Sequence, residues 1–311
     1  MDSSRRNLLK TGIAGAAGLV LGAPAFRLSA QQAAAPVGNE KLADDLYIVR
    51  VPGEEAVVAQ ISKDGVLLVD GGSAKGSEAV LKAVAALPGA SAKVNTLFNT
   101  HWHPEQTGSN EKLGTAGTTI IAQENTRLWL QQNVTWPWNG QKFKKLPKVA
   151  QPNKTFYDKG ALDGSVSGVR YGYISDAAHT DGDMYVYFQQ ANVMAVGGAA
   201  YGQGWPVVDW WTGGWIGGIV GGLQRIQSVA NKDTRIVPAV GPVLSYADIT
   251  EQVNMYGTIY DRLNQMINKG RGPSEGVEAK PAKEFEAKMG DADEFIRRSF
   301  ESLWAYLSPD A

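Results

Sequence analysis

Cysteine is absent from all 311 residues, and that absence closes several chemistries at once. The chain has no disulfide framework, no thiolate to hold a soft metal, no cysteine to carry a lipid and no thiol nucleophile. An excess of charge is missing as well: 30 Lys and Arg stand against 31 Asp and Glu, so no basic surface argues for nucleic acid as a partner. Long apolar runs are lacking; residues 12–26 are only weakly apolar, and about 15 residues fall short of the ~20 that span a bilayer. The glycines at 213–214 and 217–218 lack the strand, spacing and lysine of a phosphate loop, and no serine sits in a G-x-S-x-G elbow. What remains is ample core material, 43% hydrophobic residues and 36 glycines, as expected of one ordinary, loop-rich globular domain; the partner expected is a small-molecule substrate.

The first thirty residues read as an address rather than as structure. Ser4-Arg5-Arg6-Asn7-Leu8-Leu9-Lys10 has the form of a twin-arginine export motif, and a Gly/Ala-rich apolar stretch follows it. The expected organisation is a signal over residues 1–30, a mature N-terminal segment over 31–45 and one domain over 46–311. Cleavage is placed after Ala30 or within 33–35. The expected location is the periplasm, with no stable membrane anchor. The segment removes four basic residues and one acid, which leaves a more acidic mature chain. Nothing in the sequence fixes an oligomeric state.

Periodicity gives alternating elements. Residues 46–51, 57–61 and 66–69 read as strands, 77–87 as a helix with Val80, Leu81, Val84 and Leu87 on one stripe, and 94–99 as a strand. A strand at 118–122 and a helix at 124–132 complete the first half. A second strand-rich stretch covers 166–196, and helices at 216–230, 245–269 and 291–307 close the chain, with Gly270 ending the longest. Two strand-then-helix halves suggest an α+β protein built as a four-layer αββα sandwich.

Histidine is nearly as scarce as cysteine. Only three occur: His101 and His103 in Thr100-His-Trp-His-Pro-Glu-Gln, and His179 in Ala178-His-Thr-Asp-Gly-Asp. Each follows an apolar, strand-like run. At the end of a strand, side chains two apart share a face, so His101 and His103 can point together with Trp102 turned aside. Three imidazoles with an open fourth position make a catalytic site for Zn²⁺ or a similar ion.

On these motifs the sequence resembles the metallo-β-lactamase fold superfamily. That pattern has a strand ending in Asp-Gly, matched by Val69-Asp70-Gly71; a Thr-His-x-His-x-Asp-His run, matched in part at 100–106; and a Gly-His-Thr-x-Gly-Asp element, matched at 178–183. The resemblance implies an αββα metallo-β-lactamase-type sandwich from about Leu46 onward. It also implies a metal on His101, His103 and His179. The family's second-metal ligands are replaced: Glu105 and Gln106 stand for Asp and His, Gly198 for a bridging Asp, and Val240 for a final His. The expectation is therefore one divalent ion, zinc being the first choice, with iron and manganese open. Such an ion lowers the pKa of its water to about 7, and Glu105 is the candidate general base, with a solvated loop glutamate as the plain alternative. Asp70, Gln106 and Asp183 are expected around the ligands rather than on the metal.

Six of the nine tryptophans fall in two loop segments, Trp136 and Trp138, then Trp205, Trp210, Trp211 and Trp215. Trp136, Trp138, Trp205 and Trp210 are candidate substrate-binding walls, with loop packing as the alternative. Asp209, inside the second segment, reads as a substrate contact or a turn-former. The function expected is metal-dependent, β-lactamase-like hydrolysis of an acyl, ester or lactam-type bond. The alternative is a catalytically silent metal- or ligand-binding protein on the same fold.

Overall fold

A computed structural model describes residues 38–90, 93–162, 168–174 and 177–307. The expected export segment, and the mature stretch as far as residue 37, lie outside these residues. Among the described residues no helix is long and apolar enough to cross a membrane.

Seven strands form the first sheet in the order β1 (Glu40–Lys41), β2 (Leu46–Val49), β3 (Val57–Ser62), β4 (Gly65–Val69), β5 (Val94–Phe98), β6 (Thr119–Gln123) and β9 (Lys154–Phe156). Between β6 and β9 the chain makes a small hairpin, β7 (Val134–Thr135) with β8 (Lys142–Phe143). The second sheet runs β10 (Lys159–Leu162), β11 (Val169–Tyr173), β12 (Met184–Phe188), β13 (Val193–Gly197) and β14 (Arg235–Pro238). β4, β5, β6 and β9 are parallel, as are β13 and β14, whereas the hairpin-linked strands are antiparallel.

Alternation along single strands builds the layers. In β4, Val66 and Leu68 join Val80 and Val84 of the helix Ser77–Ala85 on the outer face, while Leu67 and Val69 turn inward to meet Val186, Phe188 and Val237 of the second sheet. The far face of that sheet, through Met194, Val196 and Ile236, is covered by Ile219, Leu223 and Ile226 of the helix Ile216–Val229 and by Ile249, Tyr256, Ile259 and Leu263 of Tyr246–Ile267. Helix, sheet, sheet and helix thus share three apolar seams, the αββα arrangement expected from the sequence.

Element ends shift for local reasons. The strand expected over 46–51 stops at Val49, because the chain turns at Pro52, which has no N–H to give to a continuing ladder. The helix expected from 245 begins at Tyr246 because Ser245 caps it: its hydroxyl accepts from Asp248 N–H at 3.2 Å, and the Asp248 carboxylate accepts from Ser245 N–H at 2.8 Å. That helix ends at Ile267, and Gly270 reverses the chain at φ +72°.

Candidate metal centre

The C-terminal ends of β4 and β5 and the loop joining β11 to β12 meet at one end of the sandwich. Asp70 follows β4 directly and adopts φ +63°, a left-handed backbone that a non-glycine residue holds only under constraint. Its carboxylate accepts from Thr100 N–H and from the Thr100 hydroxyl, both at 2.8 Å. With Asp70 ionised, the Thr100 hydroxyl gives its proton to the carboxylate and can only accept from His101 Nδ1, 3.1 Å away. His101 Nε2 is left unprotonated and faces inward.

The other two histidines are fixed from behind in the same way. His103 Nε2 lies 2.9 Å from Asp209 Oδ2, and His179 Nδ1 lies 2.5 Å from the Val207 carbonyl. Their front atoms, His103 Nδ1 and His179 Nε2, are 3.2 Å apart, and His179 Nε2 is also 3.2 Å from His101 Nε2. Three lone pairs facing one another repel unless a cation lies among them. Donors placed tetrahedrally at 2.0–2.1 Å from zinc would be separated by about 3.3 Å. The histidines thus fit a divalent metal by spacing, tautomer and softness. They are 2%, 5% and 1% exposed, so the centre is withdrawn from bulk solvent. Burial drives the His101 pKa well below its ordinary value and that of His179 down to about 3, which keeps both neutral and able to ligate.

The metallo-β-lactamase superfamily model matches residues 53–243, more than half of the chain. The chain belongs to this superfamily. No curated protein matches it in sequence. Among solved structures it is similar to the metallo-β-lactamase from Pontibacter korlensis at 18% identity and TM-score 0.56, covering 71% of this chain and 99% of that one. The DIM-1 metallo-β-lactamase is 15% identical at TM-score 0.53, over 71% and 96%. A stereoselective inverting sec-alkylsulfatase from Pseudomonas sp. reaches TM-score 0.62 at 15% identity over 85% of this chain, which spans 50% of that protein. Likeness at these identities is likeness of fold.

Against the superfamily pattern, the neighbourhood of the histidines is rebuilt. A Cβ on Gly198 would lie 2.5 Å from His179 Cδ2 and 2.7 Å from Nε2, so the imidazole itself fills the space a bridging aspartate would need. Val240 contributes its carbonyl to Gly202 N–H at 2.8 Å. Glu105 sits in the first turn of the short helix Pro104–Thr107, and its carboxylate makes no hydrogen bond among the described residues. Gln106 is 1% exposed; its Nε2 donates to the Glu55 carboxylate, while Oε1 has no partner. Asp183 accepts from the N–H groups of His179 and Thr180 at 2.6 and 2.9 Å and from the Thr180 hydroxyl at 2.8 Å. It therefore shapes the backbone that carries His179. Burial raises the pKa of Asp70 to about 8 and that of Asp183 to about 6, against the hydrogen bonds each accepts.

The tryptophans divide. Trp136 meets the His103 ring edge-on at 5.3 Å and stacks on Trp138 at 4.9 Å, and Trp138 lies 5.9 Å from Trp210. Trp205 goes elsewhere: it stacks on Phe295 at 4.7 Å and donates Nε1 to the Gly290 carbonyl, so it packs the helical layer rather than joining the other three.

Two further carboxylates enter the site: Asp209, expected as a substrate contact or a turn-former, lies behind a histidine instead, and Glu55 carried no expectation. Asp209 is fully buried and accepts from His103, from the Thr212 hydroxyl at 2.7 Å and from Trp136 Nε1 at 3.2 Å. Burial opposes its charge, yet the His103 and Thr212 hydrogen bonds hold its pKa below the usual carboxylate value. Its turn-forming role is also present, since it accepts from Thr212 N–H, but its 106-residue separation from His103 left no local signal. Glu55, in the loop joining β2 to β3, is brought over Gln106 because its neighbour Glu54 clamps that loop, accepting from Ser73 N–H and the Ser73 hydroxyl at 2.5 and 2.8 Å. Burial first, then the charge of Glu105, pushes the Glu55 pKa up to about 7.

Asp209→Ala should lower metal affinity about 10–100-fold, the usual cost of removing the partner behind a ligating histidine, with Asp209→Asn recovering part of it by still accepting from His103. Competition against a chromophoric chelator reads the change. Affinity equal to wild type in the alanine variant would show that Asp209 does not orient His103.

Proposed function

We propose that this protein is an exported hydrolase that uses one divalent metal ion, zinc first, to cleave an acyl, ester or lactam-type bond. The observation that carries this reading is the convergence of three histidine nitrogens, each on a ring bonded from behind, beside a glycine whose space is taken by the His179 ring. When bound there, the ion supplies Lewis acidity and water made acidic enough to yield hydroxide near neutral pH.

The chain's own residues do the rest. Asp70 through Thr100, Asp209 and the Val207 carbonyl fix the three imidazoles. Glu105, unpaired in the described structure, takes the proton of the attacking water and returns it to the leaving group. Asp183 sets the backbone of His179. Trp136, Trp138 and Trp210 wall the approach, exclude water and accept an apolar or ring-bearing part of the substrate. Residues 1–30 direct the folded protein to the periplasm.

Elemental analysis of the folded protein tests the reading, with about one zinc per chain as the expected result. No stoichiometric metal sinks the hydrolase; two ions per chain sink the single-ion form. Turnover is then read on a panel of aryl esters, thioesters, lactones and β-lactams, with and without a chelator. Metal held but no turnover on any of these would favour a ligand-binding protein on the same fold.

A further inference from the structure

The last helix, Asp293–Leu307, brings a cation to the same aromatic wall. Arg298 lies over the Trp138 ring, with Cζ 4.7 Å from the centroid. Trp138 stacks on Trp136, and Trp136 touches His103, so a continuous run of rings joins this guanidinium to the metal centre. Trp210 closes the other flank and is itself steadied by the same helix, since its Nε1 donates to Glu301 Oε2 at 3.0 Å.

Arg298 is held on one side only. Its Nε donates to Glu294 Oε1 at 2.7 Å, and its side chain is 15% exposed. The two terminal nitrogens donate to nothing among the described residues, and neither is among the sealed, unpartnered polar atoms, so each keeps some accessible surface. Glu301, the nearby carboxylate of opposite charge, is engaged by Trp210. A guanidinium flattened on an indole keeps its charge and presents two parallel N–H groups, a geometry that matches the oxygens of a carboxylate or a sulfate.

We propose that Arg298 anchors an anionic oxygen group of the substrate, a carboxylate or a sulfate or sulfonate, while Trp138 and Trp210 pack the apolar part beside it. The inference deepens the hydrolase reading by naming its substrate class, and it rests on that reading only for the bond that is cut. Recognition of the anion needs no turnover.

The experiment is therefore a binding measurement on the metal-loaded protein, by quenching of tryptophan fluorescence. The probes are p-toluenesulfonate, benzoate and the neutral methyl benzoate. Wild type should bind the two aryl anions on the order of tenfold more tightly than the neutral ester, the size of a charge-assisted hydrogen-bond pair. Arg298→Gln should erase that preference with little change for methyl benzoate, and Arg298→Lys should restore part of it. Arg271→Gln, which removes an exposed charge paired with Glu275, should behave as wild type. Circular dichroism and metal content confirm that each variant is folded and loaded. An anion preference that survives Arg298→Gln, or no preference in wild type, overturns the proposal. Arg298-dependent binding in a protein that hydrolyses nothing leaves this proposal standing while the hydrolase reading falls; turnover with no Arg298-dependent preference does the reverse.

Discussion

Gly198→Asp is expected to abolish tight metal binding rather than to install a second metal ligand, although aspartate there restores the superfamily pattern. The obstacle is steric and begins at the first carbon of the side chain. A Cβ would stand 2.5–2.7 Å from the His179 ring, closer than real Cβ contacts come, so the imidazole or the backbone must give way. The imidazole has little room to do so. Its Nδ1 is tied to the Val207 carbonyl at 2.5 Å, and the backbone that carries it is held as well: the His179 main-chain N–H donates to Asp183 at 2.6 Å, and the His179 carbonyl lies 2.1 Å from where a Cβ on Gly214 would be.

Displacing His179 removes a ligand outright, a larger change than losing a partner behind one, so affinity should fall by more than about 100-fold. Gly198→Ala should produce most of the same loss, because the clash needs only the methyl group. Isothermal titration with zinc reads the affinity, and thermal unfolding of the metal-free variants shows whether the sandwich persists. Wild-type affinity in a folded Gly198→Ala protein would show that the His179 ring can move aside, and would remove the steric account of the missing second site.

That glycine also illustrates what the sequence can and cannot disclose. Its presence where an aspartate belongs is visible in a single run, Val196-Gly197-Gly198; the imidazole that occupies its space comes from residue 179 and is invisible until the chain folds. The longer strands of both sheets were legible because each buries two faces or one, so apolar character repeats at a fixed period. The histidine set was legible because two of its members are two residues apart at the end of such a strand. Glu55 and Arg298 carry no local pattern at all, and Asp209 shows only its turn. Each reaches the site from an unrelated element, and a lone Asp, Glu or Arg in a loop or on a helix surface has the same sequence context whether it faces solvent or a metal. Trp205 and Trp210 share one run yet separate, because the residues between them are drawn past His179: the Val207 carbonyl lies 2.5 Å from its Nδ1, and Asp209 N–H donates to its carbonyl at 3.2 Å. Short elements such as β14 and the β7–β8 hairpin escaped for a related reason: two to four residues are too few to show a period.

Glu105→Gln should cut turnover by about 10²–10⁴, the range for loss of a positioned proton acceptor, while leaving fold and metal content intact. Glutamine matches glutamate in size, and the wild-type carboxylate makes no hydrogen bond among the described residues, so the substitution orphans no partner and opens no cavity. Its charge is nonetheless felt in the site: it raises the pKa of Glu55 and of the Tyr201 hydroxyl, in each case after burial as the larger cause. Both groups therefore share a poorly screened space with it. Glu55 is the competing candidate for the same proton, and the two are separable. Glu55 is already engaged by Gln106, so Glu55→Gln faces Gln106 with an amide in place of the carboxylate and should disturb that buried contact, whereas Glu105→Gln disturbs chemistry alone. Removing the Glu105 charge also takes away one of the causes that keep the Glu55 carboxyl protonated, so the Glu55 pKa should move down from about 7 in the Glu105→Gln protein. Steady-state rates on whichever ester or lactam the wild type cleaves, with zinc per chain measured on the same preparations, decide between them. A full rate in Glu105→Gln together with a collapsed rate in metal-replete Glu55→Gln would transfer the role of base to Glu55.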